Sequence, residues 1–505
     1  MEPRQRHEQE RLLGSQMMVK GGVTVKKDNY MPQDLREFLN IIEEKGHLAL
    51  VEGADWNLEI GALNEIMAER KGPALLFDKI KDYPQGYRIA TNVLYRDTFQ
   101  KIAFGMPEEL GNIEAIRYWM DKLKRFVPLP PRVVDNGPIL ENILEGKDVD
   151  ILKFPAPKWH ELDGGRYIGT GVTTITRDLD EGWVNVGTYR VMIHDKETVS
   201  FYTSPGKHAL IMREKYWAQG MDCPVVMCFG QQPLIFGCAT LGLPWGVPEL
   251  DFVGYMQNKP VDIIIGKETG LPIPTNAEIV IEGFSPPPDK DGRPEGPFGE
   301  WTGYYASGKR NEPVVHIKRI YFRNDPIILG QPAVISSINV YPVPLHNAIK
   351  LWTDIEKLGL QGIKGLYVHG PGNRIICVIS LQQKFLGHAR QVATAVGALL
   401  VEGACTGRYI ITVDDDVDPS NLDEVLWAVC TRTDPETAIH IMPGFLSSPL
   451  DPTLPPEKRE SGDYTTAKVF INACRPYHWK NSFPPISISS PEIREKVMTK
   501  FKDIF

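Results

Sequence analysis

The spacing of apolar residues changes once along this chain, near Ile335, and that change limits what the chain can fold into. Before it, extended stretches follow one another: Tyr167–Arg177, Val184–His194, Val199–Thr203, Val261–Gly266 and Ala277–Gly283. After it, helix and strand alternate: helix over His346–Leu358, strands over Gly365–His369 and Arg374–Leu381, helix over Ala389–Leu400, strand over Tyr409–Val413, helix over Leu422–Thr431. Alternation of that kind predicts a compact α/β unit with parallel pairing, whereas the earlier run predicts a strand-heavy, mixed α+β unit. A length of 505 residues agrees, being too great for one ordinary core. The expected division is an arm over 1–30, a first domain over 31–340, a second over 341–480 and a tail or helix over 481–505. Helices over Gln33–Lys45 and Pro107–Leu123 and strands over Ala74–Phe77 and Arg88–Val93 belong to the first domain. The prolines of Phe126–Pro157 predict a connection laid across a surface, and those after Ser447 a second such wrap, closing in a short helix near Pro491–Lys502.

Composition removes several function classes. With 56 Lys and Arg against 64 Asp and Glu the net charge is −8, so no basic surface for a nucleic-acid backbone is expected. The seven cysteines are odd in number, scattered and free of any C-x-x-C pair, which argues against a disulfide framework or a thiolate zinc site and for a reducing cytoplasm. The opening MEPRQRHEQERLL lacks the apolar core of a secretory signal, and the longest apolar run, Val392–Val401, falls well short of the roughly 18 residues of a membrane span. No membrane partner is expected.

Residue types suited to chemistry concentrate in four places before the boundary. In VNVGTYRVMIHD, Asn185 and Arg190 are five apart and point to opposite faces of a regular strand; only a bulge or bend, for which Gly187 is the candidate, would let both reach one site. His208 opens a helix after the turn SPGK, where a helix N-terminus attracts phosphate. Glu249 follows Pro248 in the first turn of another helix, a place the helix dipole favours for any acid. In EGPFGE, Glu295 and Glu300 flank a glycine-proline turn that could bring two carboxylates onto one reacting centre, or could leave them as a solvated acidic turn. Asp414, Asp415, Asp416 and Asp418 suggest a metal cluster, but strand alternation divides them between faces, which favours a solvated strand end.

Taken together, these residues resemble the UbiD family of prenylated-FMN-dependent decarboxylases. N-x-x-x-x-R at Asn185 and Arg190, then His208, G-V-x-E ending at Glu249, and E-G-P-F-G-E at Glu295–Glu300 occur in the family's order and approximate spacing. The likeness extends to YIITVDDDVDPSNLDEVLWAVCTR and AKVFINACRP, and so from about Leu35 to Pro476.

The resemblance implies a split-barrel-type flavin-binding domain followed by a smaller α/β domain used for oligomerisation, giving a homodimer or homohexamer. It implies that Asn185, His208 and Glu249 ligate a divalent ion, Mn2+ or Mg2+, that anchors the phosphate of prenylated FMN, with K+ nearby and a separate flavin prenyltransferase as supplier of the cofactor. Arg190, Glu295 and Glu300 match the family's Glu-Arg-Glu network, with Glu300 as proton donor. The flavin serves as electron sink for the pair left when carbon dioxide departs from an aromatic, heteroaromatic or α,β-unsaturated acid. Where family members often carry a phosphate-binding lysine, this chain has Arg408; Lys207 and Trp301 are expected to face the substrate, with Lys207 also able to meet the flavin phosphate. The catalytic pocket is expected between the two domains. Two other readings stay open: a subunit of a multi-component aromatic carboxylase, and a flavin-independent metal hydrolase centred on Asp414–Asp418.

Overall fold

The computed structural model describes residues 18–20, 23–25, 30–204, 206–306, 308–333, 344–369, 375–400, 406–502 and 504. Residues 334–343, where the domain boundary was expected, lie outside these, as does most of the arm over 1–30; within the arm, Met18–Lys20 pairs antiparallel with Val23–Val25.

A ten-stranded sheet forms the first unit. Its strands are β1 (Asn142–Glu145), β2 (Tyr167–Gly169), β3 (Val172–Arg177), β4 (Val184–Gly187), β5 (Val191–Asp195), β6 (Thr198–Ser200), β7 (Cys223–Phe229), β8 (Ile279–Ser285), β9 (Gly292–Glu295) and β10 (Arg310–Phe322). The order is β4-β3-β7-β8-β10-β6-β5-β2, with β1 and β9 also paired to β10. Consecutive β4 and β5 therefore stand first and next to last on this path, six strand spacings apart. At about 4.8 Å per spacing a flat sheet would separate them by roughly 29 Å. Only Thr188, Tyr189 and Arg190 connect them, and the four Cα-to-Cα steps reach at most about 15 Å. The sheet must therefore curl until its ends meet, and it does so as a half-barrel.

The sequence supports the curl by covering both faces. In β7, Val225, Met227 and Phe229 join one apolar cluster with Val191, Val199, Phe201, Ile279 and Val315, while Val226 and Cys228 join a second with Leu234, Phe236, Leu250 and Val253. A strand buried on both faces reads as an unbroken apolar run, which CPVVMCF is. Helices α1 (His208–Ala218) and α2 (Glu249–Gln257) pack against β4. A separate four-stranded sheet, ordered Ile327–Gly330, Arg88–Thr91, Ala74–Asp78, Leu48–Glu52, completes the unit.

The second unit is a five-stranded sheet ordered Ile363–His369, Ile376–Leu381, Tyr409–Asp414, Thr465–Ala473, Ile439–Leu446, with the two inner pairings parallel. Helices cover both faces: Cys377, Ile379 and Ile410 face Val392 and Val396, whereas Val378, Ile411 and Val413 face Val425 and Ala428. The expected alternation is thus present. Thr465–Ala473 departs from expectation, since it is an inner strand of this sheet and not part of a surface wrap. The units share one apolar cluster, in which Ile116 and Trp119 of the helix Asn112–Leu123 belong with Ala348, Ile349 and Trp352 of the helix Pro344–Lys357. Arg459 of the second unit also donates to the carbonyl of Ala306 in the loop after Glu300 (3.0 Å).

No helix among the described residues is long and apolar enough to cross a membrane. Cys223, Cys228, Cys238, Cys377, Cys430 and Cys474 form no disulfide; Cys405 is outside the described residues.

The two expected strands Tyr167–Arg177 and Val184–His194 are each broken in two, the second directly after Gly187. There a Cβ would lie 2.4 Å from the Tyr189 hydroxyl and 2.6 Å from its ring. Tyr189 is packed among buried residues and has nowhere to move. Gly187→Ala is therefore expected to lower unfolding stability by about 1–3 kcal/mol, the usual range for overpacking. Chemical denaturation measures this, and an unchanged midpoint would show that the link is not tightly packed.

Candidate active site

Two clusters flank the three-residue link. At its C-terminal side, Arg190 forms a forked pair with Glu295, Nε to Oε1 at 2.8 Å and Nη2 to Oε2 at 2.8 Å, and gives Nη1 to Glu300 Oε1 at 2.7 Å. A planar guanidinium suits two carboxylates in this way because its donors diverge in one plane. Glu295 ends β9, whose register with β10 places it opposite Arg310. Glu300 follows on the return loop, in a turn closed by Glu300 N–H to Tyr304 O (3.1 Å) and Gly303 N–H to Glu300 O (2.8 Å).

The carboxylates are unequal. Glu295 accepts a third hydrogen bond, from the Tyr167 hydroxyl at 2.9 Å, and its side chain is 1% exposed. Glu300 has one side-chain donor, Arg190; burial pushes its carboxyl up, opposed by the charge and hydrogen bond of Arg190. Burial disfavours the charge on Arg190, but the hydrogen bonds and charge of Glu295, then the charge of Glu300, outweigh it and hold the guanidinium firmly protonated. Its flat group also lies 4.4 Å from the Tyr202 ring centroid and 5.5 Å from that of Phe298. Tyr167, Tyr202 and Phe298 were missed in the sequence, where each reads as an ordinary apolar residue; only the position of Phe298 inside EGPFGE carried a signal.

At the N-terminal side of the link, Asn185 Oδ1 lies 3.2 Å from His208 Nδ1, and Glu249 accepts from the backbone N–H of Val186 at 2.7 Å. Three elements converge here: β4 brings Asn185, α1 begins with His208 and α2 begins with Glu249. Glu249 is 4% exposed, and burial pushes its carboxyl up to about 8, against backbone hydrogen bonds that lower it. Among the described residues the Asn185 Nδ2 atom is buried with no partner in hydrogen-bond geometry. Turning the amide over, which swaps chemically similar ends, leaves a buried carbonyl oxygen instead. A carbonyl oxygen, a carboxylate and an imidazole are the donor types a divalent cation takes, and such an ion would relieve both the buried amide and the buried acid, so the residue types fit the ion. No side chain caps α1, and Lys207 precedes it with extended backbone and an exposed side chain. The first-turn amides of α1 are thus suited to a phosphate.

The structure brings together Arg190, Glu295 and Glu300, and separately Asn185, His208 and Glu249. Trp301 is half-buried directly after Glu300. Arg408 joins neither set: it lies just before the strand Tyr409–Asp414 and pairs with the fully buried Asp451 and with Thr453 (3.2 Å). A buried carboxylate needs a cation, and Arg408 supplies it. Among the described residues the aspartate cluster is not a metal centre, and it is a solvated strand end only in part: Asp415, Asp416 and Asp418 are exposed, whereas Asp414 is not. Asp414 is buried and accepts from Gln383 Nε2 (3.1 Å), from Arg475 N (2.7 Å) and Nε (3.1 Å), and from Arg432 Nη1 (3.3 Å); Asp416 pairs with Arg432 at 2.8 Å. Among the described residues no group of three or more His, Cys, Asp or Glu is placed to hold a metal, so the flavin-independent hydrolase loses its proposed centre.

Comparison with known proteins places most of the chain in one family. Residues 39–119, 132–334 and 343–473 match the N-terminal, Rift-related and C-terminal domain models of 3-octaprenyl-4-hydroxybenzoate carboxy-lyase. A pyrrole-2-carboxylic acid decarboxylase of Pseudomonas aeruginosa is 30% identical over 466 residues, 88% of this chain and 91% of the relative. A phenolic acid decarboxylase of Bacillus subtilis is 30% identical over 462 residues, 88% and 93%. Among solved structures, the UbiD-class enzyme HmfF from Pelotomaculum thermopropionicum in complex with FMN superposes with a TM-score of 0.80 at 26% identity, covering 93% of this chain and 100% of that one. By class, then, the protein is a carboxy-lyase. It belongs to the UbiD family.

Removing the guanidinium would strand two buried carboxylates. Arg190→Ala is expected to lose about 3–5 kcal/mol of stability at neutral pH, the usual cost of breaking a buried pair. Without its cation the Glu300 carboxyl, which burial already pushes up, would have a folded-state pKa above the unfolded one, so the stability it contributes is present at low pH and lost as pH rises. Urea unfolding at about pH 5 and pH 7.5 should therefore show a smaller deficit at the lower pH, and a pH-independent deficit would contradict the account.

Proposed function

We propose that this chain removes carbon dioxide, reversibly and without net oxidation, from a planar aromatic or heteroaromatic acid, with prenylated FMN held through a divalent metal. The observation that carries the reading is Arg190 holding Glu295 and Glu300 together in a water-poor pocket (side chains 10%, 1% and 11% exposed). Its support includes the 30% identical decarboxylases of pyrrole-2-carboxylic and phenolic acids, and an evolved dimeric HmfF solved with prenylated FMN at 25% identity and a TM-score of 0.77. Prenylated FMN, when bound, supplies an electron sink for the pair left on the ring carbon.

The chain's own residues do the rest. Asn185, His208 and Glu249 would hold Mn2+ or Mg2+, with K+ nearby, and the first turn of α1 would meet the flavin phosphate. Arg190 orders the two carboxylates and the incoming acid by its fixed charge. Glu295 is anchored by three side-chain donors and keeps Arg190 in place. Glu300, with one, holds a proton and returns it to the carbon that carbon dioxide has left, then regains one from water. Because the protonated form acts, turnover falls as pH rises through its raised pKa. Trp301 offers a flat wall for the ring and Lys207 a charge near the phosphate. The pocket lies where the loop after Glu300 meets the second unit, the boundary of the two domains falls near 340, and the protein works as a cytoplasmic homo-oligomer supplied by a flavin prenyltransferase.

Two variants test this. His208→Ala should lose metal and flavin together, read by metal analysis and flavin absorbance of the purified protein; full occupancy of both would remove the ligand assignment. Glu300→Gln should keep the flavin yet lose turnover and the incorporation of solvent deuterium into product, by at least about 10²-fold, as for a general acid; near-normal turnover would rule out its role.

A further inference from the structure

Glu300 has one side-chain hydrogen-bond donor, so the position of its carboxyl depends on whatever fixes the loop that carries it. That loop, between β9 and β10, is gripped from outside by the turn His160–Gly165. Asp163, 4% exposed, accepts from the backbone N–H of His160 (3.0 Å) and from the Tyr305 hydroxyl (3.1 Å). The second of these donors belongs to the loop, five residues after Glu300. Another bond runs the other way, Gly164 N–H to Pro297 O at 2.8 Å, three residues before Glu300. The backbones approach so closely that a Cβ on Gly164 would lie 2.0 Å from the Gly296 carbonyl oxygen. His160 backs the arrangement, its Nε2 lying 3.0 Å from Glu65 Oε1.

We propose that Asp163 is a positioning residue for the proton donor: through Tyr305, and through the turn whose Gly164 donates to Pro297, it holds the Glu295–Tyr305 segment in the one shape that sets Glu300 against Arg190. The proposal rests on the reading of Glu300 as proton donor. A carboxylate that served only to cap its own turn would need only the His160 bond and could sit in water. Asp163 is instead buried, at a cost, by the loop it holds, and burial pushes its carboxyl up against the hydrogen bonds and the His160 ring that lower it. The charged groups facing Glu300 are Arg190, Glu295 and Arg310. None of these belongs to the Asp163 turn; the charge of Asp163 is felt instead by Tyr167, which donates to Glu295, so the Tyr305→Phe variant, which keeps that charge, isolates the route through the loop.

The test uses the flavin-loaded enzyme with Asp163→Ala, Asp163→Asn and Tyr305→Phe, and Glu300→Gln in parallel. Asp163→Ala should keep its flavin and change KM by less than about threefold while kcat falls by about 10²-fold, the scale of an ångström of misplacement. Its alkaline limb should move to lower pH, because a loosened loop admits water and relieves the burial that raises Glu300. In hydrogen exchange, amides of residues 296–305 should exchange at least about tenfold faster. Asp163→Asn keeps one acceptor and should recover part of the rate, and Tyr305→Phe should shift all three readouts in the same direction by less. Should Asp163→Ala fail to fold, Tyr305→Phe decides: wild-type kcat, limb and exchange would overturn the proposal. If Glu300→Gln turns over normally, the reading of Glu300 has failed. If it is inactive while the Asp163 and Tyr305 variants keep the wild-type rate and limb, only the positioning role has failed.

Discussion

Three residues, Thr188 to Arg190, must join strands that a flat sheet would hold roughly 29 Å apart. Everything else about the first unit follows from the curling this forces. The ends of the sheet are brought together, the link becomes the closure of the half-barrel, and the residues on either side of it become neighbours of two sites. Asn185 lies before the link and meets the first turns of two helices; Arg190 is the last residue of the link and meets the β9–β10 loop. The break after Gly187 takes Arg190 out of the strand that carries Asn185, so its direction is set by the link and not by strand alternation.

The site then depends on charge balance in a dry place. Two carboxylates and one guanidinium leave a net negative charge that water does not screen well. Unequal donor counts resolve it: Glu295 takes three hydrogen bonds and Glu300 one from side chains. The group with fewer donors is the one that can trade a proton, so role assignment follows from hydrogen-bond inventory more than from either glutamate's place in EGPFGE. Electrostatics at the other cluster run the opposite way. There a buried carboxylate has amide donors in place of a cationic side chain, and the fit to a divalent ion rests on that deficit.

Much of this was legible in the sequence, for identifiable reasons. Helix and strand alternation after residue 344 is a local pattern, and it located six of the second unit's elements within a few residues. The charged and polar site residues were legible because their types and order are unusual together. Elements whose identity depends on distant partners were not. Cys223–Phe229 is an apolar run without a period, and Arg310–Phe322 is studded with charges that the curled sheet accommodates only because β8, β6, β1 and β9 all pair along it. Thr465–Ala473 follows a proline-rich stretch and becomes an inner strand only once two neighbours exist. The same limit explains Arg408 and the Asp414–Asp416 network. Whether an arginine serves a ligand or a buried aspartate is settled by what folds against it, and Asp451, Arg432 and Arg475 come from elsewhere in the chain.

The apolar seam between the helices Asn112–Leu123 and Pro344–Lys357 also constrains how the molecule can move. Prying the units apart there would expose Trp119, Ile349 and Trp352 to water, an expense that thermal motion does not meet often. Sliding or rolling one helix on the other keeps those side chains covered, as packed helices do in shear motions. The seam thus favours sliding over opening, and the Arg459–Ala306 hydrogen bond ties the second unit at another place to the loop that carries Glu300, so the two units share the task of bracing that loop.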